Sequence, residues 1–209
     1  MNYLEFSRKI ADYPLFSTKD LRLIFGADFK KSFLNKLEYW QKKHYLIQLR
    51  KSLYILGYLR HSVDPLILAS KMYPPAYVSL ETALAYYGII PEAVFTVTSV
   101  TSRETKTFSN DFGKFTYQKI KKSTFGGYET ITKKEFGISY NLAVPEKALM
   151  DFFYLNRNIL DGTQTQFEGY RFSEDFKYSK KKLMQFAKAF KNKKVLMLTN
   201  NFIKFYVAG

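Results

Sequence analysis

Aromatic rings dominate this sequence: 20 Phe, 17 Tyr and a single Trp are spread along 209 residues. Each such side chain has roughly 150–250 Å² to bury. A chain this rich in them does not stay disordered, because disorder goes with too little apolar surface to offset ordering entropy. The expectation is one or two packed domains of ordinary size. Cysteine is absent, which excludes disulfides, thiol chemistry and Cys-ligated zinc. His44 and His61 are the only imidazoles, too few for a His-rich metal site.

Charge is distributed as unevenly as the rings are even. Of the formal net charge of +15, residues 1–61 carry +7, residues 62–175 carry −1 and residues 176–209 carry +9. Charge that served only solubility would be spread along the chain, so the asymmetry favours a polyanionic partner. The competing explanation is a pair of Lys-rich, solvated helix faces, and for the C-terminal segment both stay open. The opening Met1–Lys9 puts Glu5, Arg8 and Lys9 where a signal peptide needs an apolar core. No apolar run approaches the ~18–20 residues of a membrane span. A soluble, cytoplasmic chain with no membrane partner is expected.

The first sixty residues read as three helices and a hairpin. Tyr3–Tyr13 is a short helix closed by Pro14, which biases its predecessor out of the helical region. Ser17 or Thr18 caps a helix over Lys19–Phe25, and Gly26 ends it. Asp28 is the candidate cap for a longer helix, Phe29–His44. There Phe33, Leu34, Leu37 and Trp40 share one face, and Lys31, Ser32, Asn35, Lys36, Tyr39, Lys42 and Lys43 share the other. The second stripe mixes base-edge readers with phosphate binders and contains one acid, Glu38. Tyr45–Leu49 and Leu53–Leu56 are short strands about a basic tip, Arg50-Lys51-Ser52. This is the order of a winged helix-turn-helix, whose third helix enters the major groove while the hairpin lies on the backbone. A trihelical protein-docking module would share the same core.

Further on, Tyr77–Gly88 reads as a helix with Ser79 as its cap, and strands are expected over Val94–Thr101, Phe112–Tyr117, Tyr128–Thr132 and Ile138–Leu142. Pro145 opens another helix. Ser179 caps one whose stripe is Leu183, Phe186, Ala187 and Phe190, surrounded by Lys180, Lys181, Lys182, Lys188, Lys191, Lys193 and Lys194. Residues Val195–Val207 form a last helix or a strand. With a hinge at Tyr58–Pro65, the fold class is α+β: a winged helix-turn-helix over 1–60, then a mixed α+β domain over 61–209 whose basic end, 176–209, is helical.

The search for catalysis finds little. No phosphate-binding Gly-x-x-x-x-Gly-Lys-Ser/Thr motif occurs, Gly126-Gly127 reads as a turn, and a serine nucleophile lacks an evident base. A carboxylate nuclease built from Glu81, Glu129, Glu146 and Asp151 would need those acids to converge. Acids at helix starts are accounted for by the helix dipole instead, Glu146 above all. No enzyme activity, cofactor or metal is expected.

Four stretches in order, Tyr77-Val-Ser-Leu-Glu-Thr-Ala-Leu-Ala-Tyr-Tyr-Gly-Ile-Ile-Pro-Glu92, Val97-Thr-Ser-Val-Thr101, Phe112-Gly-Lys-Phe-Thr-Tyr117 and Pro145-Glu-Lys-Ala-Leu-Met-Asp151, resemble the AbiEi antitoxins of bacterial type IV toxin–antitoxin (abortive-infection) systems. Phe16–Leu21, the Arg50-Lys51 hairpin and Lys182–Lys188 extend the resemblance over nearly the whole chain. It implies an N-terminal domain that binds double-stranded DNA at its own promoter and represses its operon. It also implies a C-terminal domain needed to neutralise a co-encoded nucleotidyltransferase-like toxin, without a stable complex being required. Lys30-Lys-Ser-Phe-Leu-Asn35 stands where the family is Arg-rich, so the operator sequence does not follow. The other class of function is a non-catalytic interaction module that docks its basic ends on an acidic protein.

Overall fold

The computed structural model describes residues 1–91, 95–133 and 138–207. The first unit runs α1 (Tyr3–Lys9), β1 (Leu15–Ser17), α2 (Thr18–Phe25), α3 (Lys31–Lys42), β2 (Leu46–Arg50) and β3 (Leu53–Leu56). Its three strands pair antiparallel in the order β1-β3-β2. Ser17 caps α2 in a box with Asp20, and Gly26, at φ +49°, ends it, both as expected. Three expectations shift. α1 stops at Lys9 rather than Tyr13, since residues 10–13 wind as turns ahead of Pro14. Asp28 is not a cap: it closes a tight turn over Gly26–Asp28, and α3 begins after Lys30 with no side-chain cap. Leu34 is 39% exposed, so the buried stripe of α3 narrows to Phe33, Leu37 and Trp40.

The second unit runs α4 (Pro65–Met72), β4 (Ala76–Val78), α5 (Leu80–Tyr86), β5 (Thr96–Thr101), β6 (Lys106–Asn110), β7 (Gly113–Lys119), β8 (Tyr128–Lys133), β9 (Ile138–Ala143), α6 (Pro145–Leu155), α7 (Gln164–Gly169), α8 (Lys180–Ala189) and α9 (Lys193–Tyr206). Its six-stranded sheet has the order β6-β7-β5-β4-β9-β8. β4 lies antiparallel to β5 and parallel to β9, and β5 parallel to β7, so the sheet is mixed and the fold is α+β. Among the described residues no helix is long and apolar enough to cross a membrane.

The largest departure falls at Tyr77–Gly88, where a helix was expected from Tyr77. Ala76–Val78 is instead a central strand, with Tyr77 opposite Val100 and Val78 opposite Ser99. Helical spacing and a buried strand look alike over so few apolar residues, and long-range pairing decides between them. The helix itself starts at Leu80. The start of the expected Val94–Thr101 strand lies outside the described residues at Val94. The strand β6 and the helices α4 and α7 carry too weak a periodicity to have been foreseen. The last segment resolves as a helix, with the Asn192 side chain accepting from Val195 N at 3.1 Å.

Two apolar clusters hold these units, and the hairpin belongs to both. Leu46, Tyr54 and Leu56 pack with Phe6, Phe16, Leu37 and Trp40. Ile47, Leu49, Leu53 and Ile55 join the larger cluster with Val63, Ile67 and Met72. Alternation along a strand points successive side chains to opposite faces, and here both faces are covered. Just beyond, Gly57 passes so close to the preceding loop that a Cβ would meet His44 O at 2.0 Å.

The larger core includes several tyrosines. Burial raises the hydroxyls of Tyr77, Tyr117, Tyr140 and Tyr178 above their ordinary value of 10.0, and that of Tyr87 to about 12. The tyrosines' contribution to stability is therefore intact below pH 10 and lost as pH rises through the raised values, at about 1.4 kcal/mol per unit for each tyrosine that only the unfolded chain ionises. In an alkaline titration, tyrosinate absorbance should rise first for the exposed rings. The buried ones should then ionise together with the loss of circular dichroism. A smooth titration of all 17 tyrosines with the fold intact would contradict this burial.

Candidate functional site

The helix α3 presents a polar stripe because its apolar residues are spent inward. With Phe33, Leu37 and Trp40 buried, Lys31, Ser32, Asn35, Lys36, Tyr39, Lys42 and Lys43 are all exposed. Among the described residues, none of these lysines forms an ion pair with a carboxylate. Lys36 is the one with an internal engagement, donating from Nζ to Met1 O at 2.9 Å. The first turn of α3 contains no acid and receives no side-chain cap. Its leading N–H groups, the positive end of the helix dipole, thus stand beside Lys30 and Lys31. Such an end favours an anion.

The hairpin tip is less simple than its sequence. Lys51 is exposed, whereas Arg50 is half-buried. The Arg50 guanidinium donates from Nε to Met72 O at 2.6 Å and from Nη1 to Lys51 O at 2.9 Å. It ties the tip to the end of α4. A second link between the units runs from the Asn110 side-chain amide to Leu49 O at 3.0 Å. Arg50 is thus a strut between the units as well as a cation.

The second basic surface lies elsewhere. Lys180, Lys181 and Lys182 occupy the first turn of α8, Lys188 its last turn, and Lys191 follows, all exposed. α8 packs on α6 and α9, while α3 packs on β2. Three lysines at a helix N-terminus oppose the dipole. Part of the compensation is Glu146, whose Oε1 accepts from Ser179 N at 3.0 Å. Glu146 is therefore more than a helix-start acid: it is buried and pins the start of α8 to α6.

The carboxylates weighed as a nuclease centre have other partners. Asp151 is 0% exposed and accepts from Tyr77 Oη at 2.8 Å, from Ser79 Oγ at 2.9 Å and from Lys147 Nζ. The Ser79 hydroxyl, expected to cap α5, is spent here. Burial pushes the Asp151 carboxyl up and the Lys147 ammonium down, each against the pull of its partner. Among the described residues no three His, Asp or Glu side chains gather as metal ligands would. Apart from this pair, a pocket of about 630 Å³ opens between Glu81, Leu84, Phe95, Phe152, Tyr170 and Phe172, with Phe95 92% exposed. Neither the buried pair nor the pocket was foreseen: the pocket's members lie up to 91 positions apart, and for the pair an acid and a lysine four positions apart inside the apolar run of α6 were the only signal.

Set against models of known protein families and against curated proteins, the chain matches none.

Proposed function

We propose that the chain is a DNA-binding repressor and antitoxin, whose first unit is a winged helix docking α3 in the major groove of its own promoter. Its second unit would neutralise a nucleotidyltransferase-like toxin. The observation that carries the DNA part is the exposed face of α3: four lysines with Ser32, Asn35 and Tyr39 among them, beside an uncapped helix start. Support comes from the order α1-β1-α2-α3-β2-β3, with the strand pair following the third helix. The antitoxin part rests on the four sequence stretches that resemble the AbiEi antitoxins. No step of the reading needs a cofactor, a metal or catalysis.

Two assays test it. The full chain should retard a duplex of its own upstream region at physiological salt, with affinity falling as salt rises. Co-expression should rescue cells from the neighbouring nucleotidyltransferase-like gene product. No retardation at any salt would remove the repressor reading, and unrelieved toxicity the antitoxin reading.

The dipole-opposing Lys180–Lys182 turn favours a second reading, in which the basic ends dock on an acidic protein. That reading expects stable co-purification with such a partner and no promoter retardation.

A further inference from the structure

The middle of the chain is neutral in sum but not in space. Where the hairpin tip meets the edge of the six-stranded sheet, a cleft of about 310 Å³ is lined by Arg50, Lys51, Arg103 and Lys106, with Tyr73 and Phe108. Two of these cations come from the first unit and two from the second. They are far apart in sequence and fall in segments of different net charge.

The arginines are held in place before any ligand arrives. Arg50 is braced by the Met72 and Lys51 carbonyls. The Arg103 guanidinium lies 4.2 Å from the centroid of the Tyr73 ring and donates from Nη1 to Pro74 O at 3.1 Å. Its backbone N–H is fixed on Thr101 Oγ1 at 3.1 Å. Yet none of the four cations has a carboxylate partner among the described residues. The acid between Arg103 and Lys106, Glu104, turns to Lys119 instead. Four like charges around one cleft repel one another, and only an anion relieves that repulsion. Lysine on an edge strand also guards against strand addition, which accounts for Lys106 at the start of β6. It does not account for Arg103, which lies off the strand and is fixed by ring stacking.

We infer that this cleft binds a backbone phosphate of duplex DNA, so that both units grip the same strand next to the hairpin. Fixed guanidinium donors suit phosphate oxygens better than mobile ammonium groups do. The inference rests on the DNA-binding reading above and extends its footprint into the second unit.

The test measures fluorescence anisotropy of the full chain on two labelled duplexes, its own upstream region and one of mixed sequence, across a salt series. The variants are Lys51→Gln/Lys106→Gln, two exposed side chains on the rim of the cleft, and Arg103→Gln, with Arg103→Lys as the charge-retaining control. The double variant should bind both duplexes more weakly, with a salt slope lower by about 0.9 for each phosphate that the protein no longer neutralises. Arg103→Gln should lower the slope, whereas Arg103→Lys should restore most of it. Should Arg103→Gln fail to fold, Lys106→Gln alone, which changes only the second unit, decides. Wild-type affinity and slope in the double variant, on a duplex that the wild type binds, would put the cleft outside the footprint and leave the α3 reading standing. No binding of either duplex by the wild type would overturn both.

Discussion

Replacing Lys147 with methionine should lower the unfolding free energy by about 3–5 kcal/mol, the cost of leaving a buried charge without its partner. Lys147 is 2% exposed and Asp151 0%. The ammonium also lies 4.9 Å from the ring centroid of Phe190 and 5.5 Å from that of Tyr77. Nothing near replaces it, because the remaining donors to Asp151 are two neutral hydroxyls. Urea denaturation followed by circular dichroism reads the loss directly. The deficit should be largest near neutrality and shrink in acid, because the Asp151 carboxyl, already raised by burial, takes up a proton in the folded variant before the unfolded chain does. Lys147→Met/Asp151→Leu should cost less than its two parts summed, since removing both charges leaves no orphan. The hydroxyls of Tyr77 and Ser79 would still lose their acceptor, so wild-type stability is not expected back. A Lys147→Met protein as stable as the wild type would show that the pair carries no such burden.

The second large effect belongs to α3. Lys31→Ala/Lys42→Ala/Lys43→Ala should weaken binding to cognate and mixed-sequence duplexes alike and lower the salt slope by about 0.9 for each phosphate left without its lysine. Lys36 is left out, because its ammonium is engaged by Met1 O. Asn35→Ala should behave differently. A residue that reads a base edge costs about 1–3 kcal/mol on the cognate site and little on mixed sequence. Calorimetry or anisotropy on the two duplexes separates the classes. Equal losses from both kinds of variant on both duplexes would mean that α3 binds without reading sequence. No loss from any of them would take α3 out of the interface.

What sequence could convey was local. Ser17 and Gly26 bracket α2 because capping chemistry acts within one turn, and alternation around Arg50–Ser52 places the hairpin strands to within a residue. The proline of α6 and Ser179 of α8 work for the same reason. What failed in the second unit depended on partners far along the chain. Ser79 has the right residue type and position for a cap, yet Asp151, 72 positions away, takes its hydroxyl. Glu146 looks like a dipole acid until Ser179 N closes on it. Tyr77 becomes a strand residue because Val100 pairs with it. The candidate site divides in the same way. The α3 stripe is a property of one helix and was legible. The cleft at Arg103 and Lys106 was hidden, because averaging charge over residues 62–175 erases a cluster that exists only after folding.

The hairpin with two covered faces also bears on how the chain is made. Residues 1–56 leave the ribosome before the second unit does, and domains generally fold in the order of their emergence. Here the first unit cannot be finished in that order. Apart from Leu15, the residues that share a cluster with Ile47, Leu49, Leu53 and Ile55 come later in the chain, Ile67 and Met72 among them. Until α4 and the sheet edge arrive, the nascent chain carries a strand pair with one apolar face largely uncovered, which is the kind of surface that chaperones hold. Completion of the first unit thus waits on translation of its neighbour, so a truncated transcript would yield no finished hairpin.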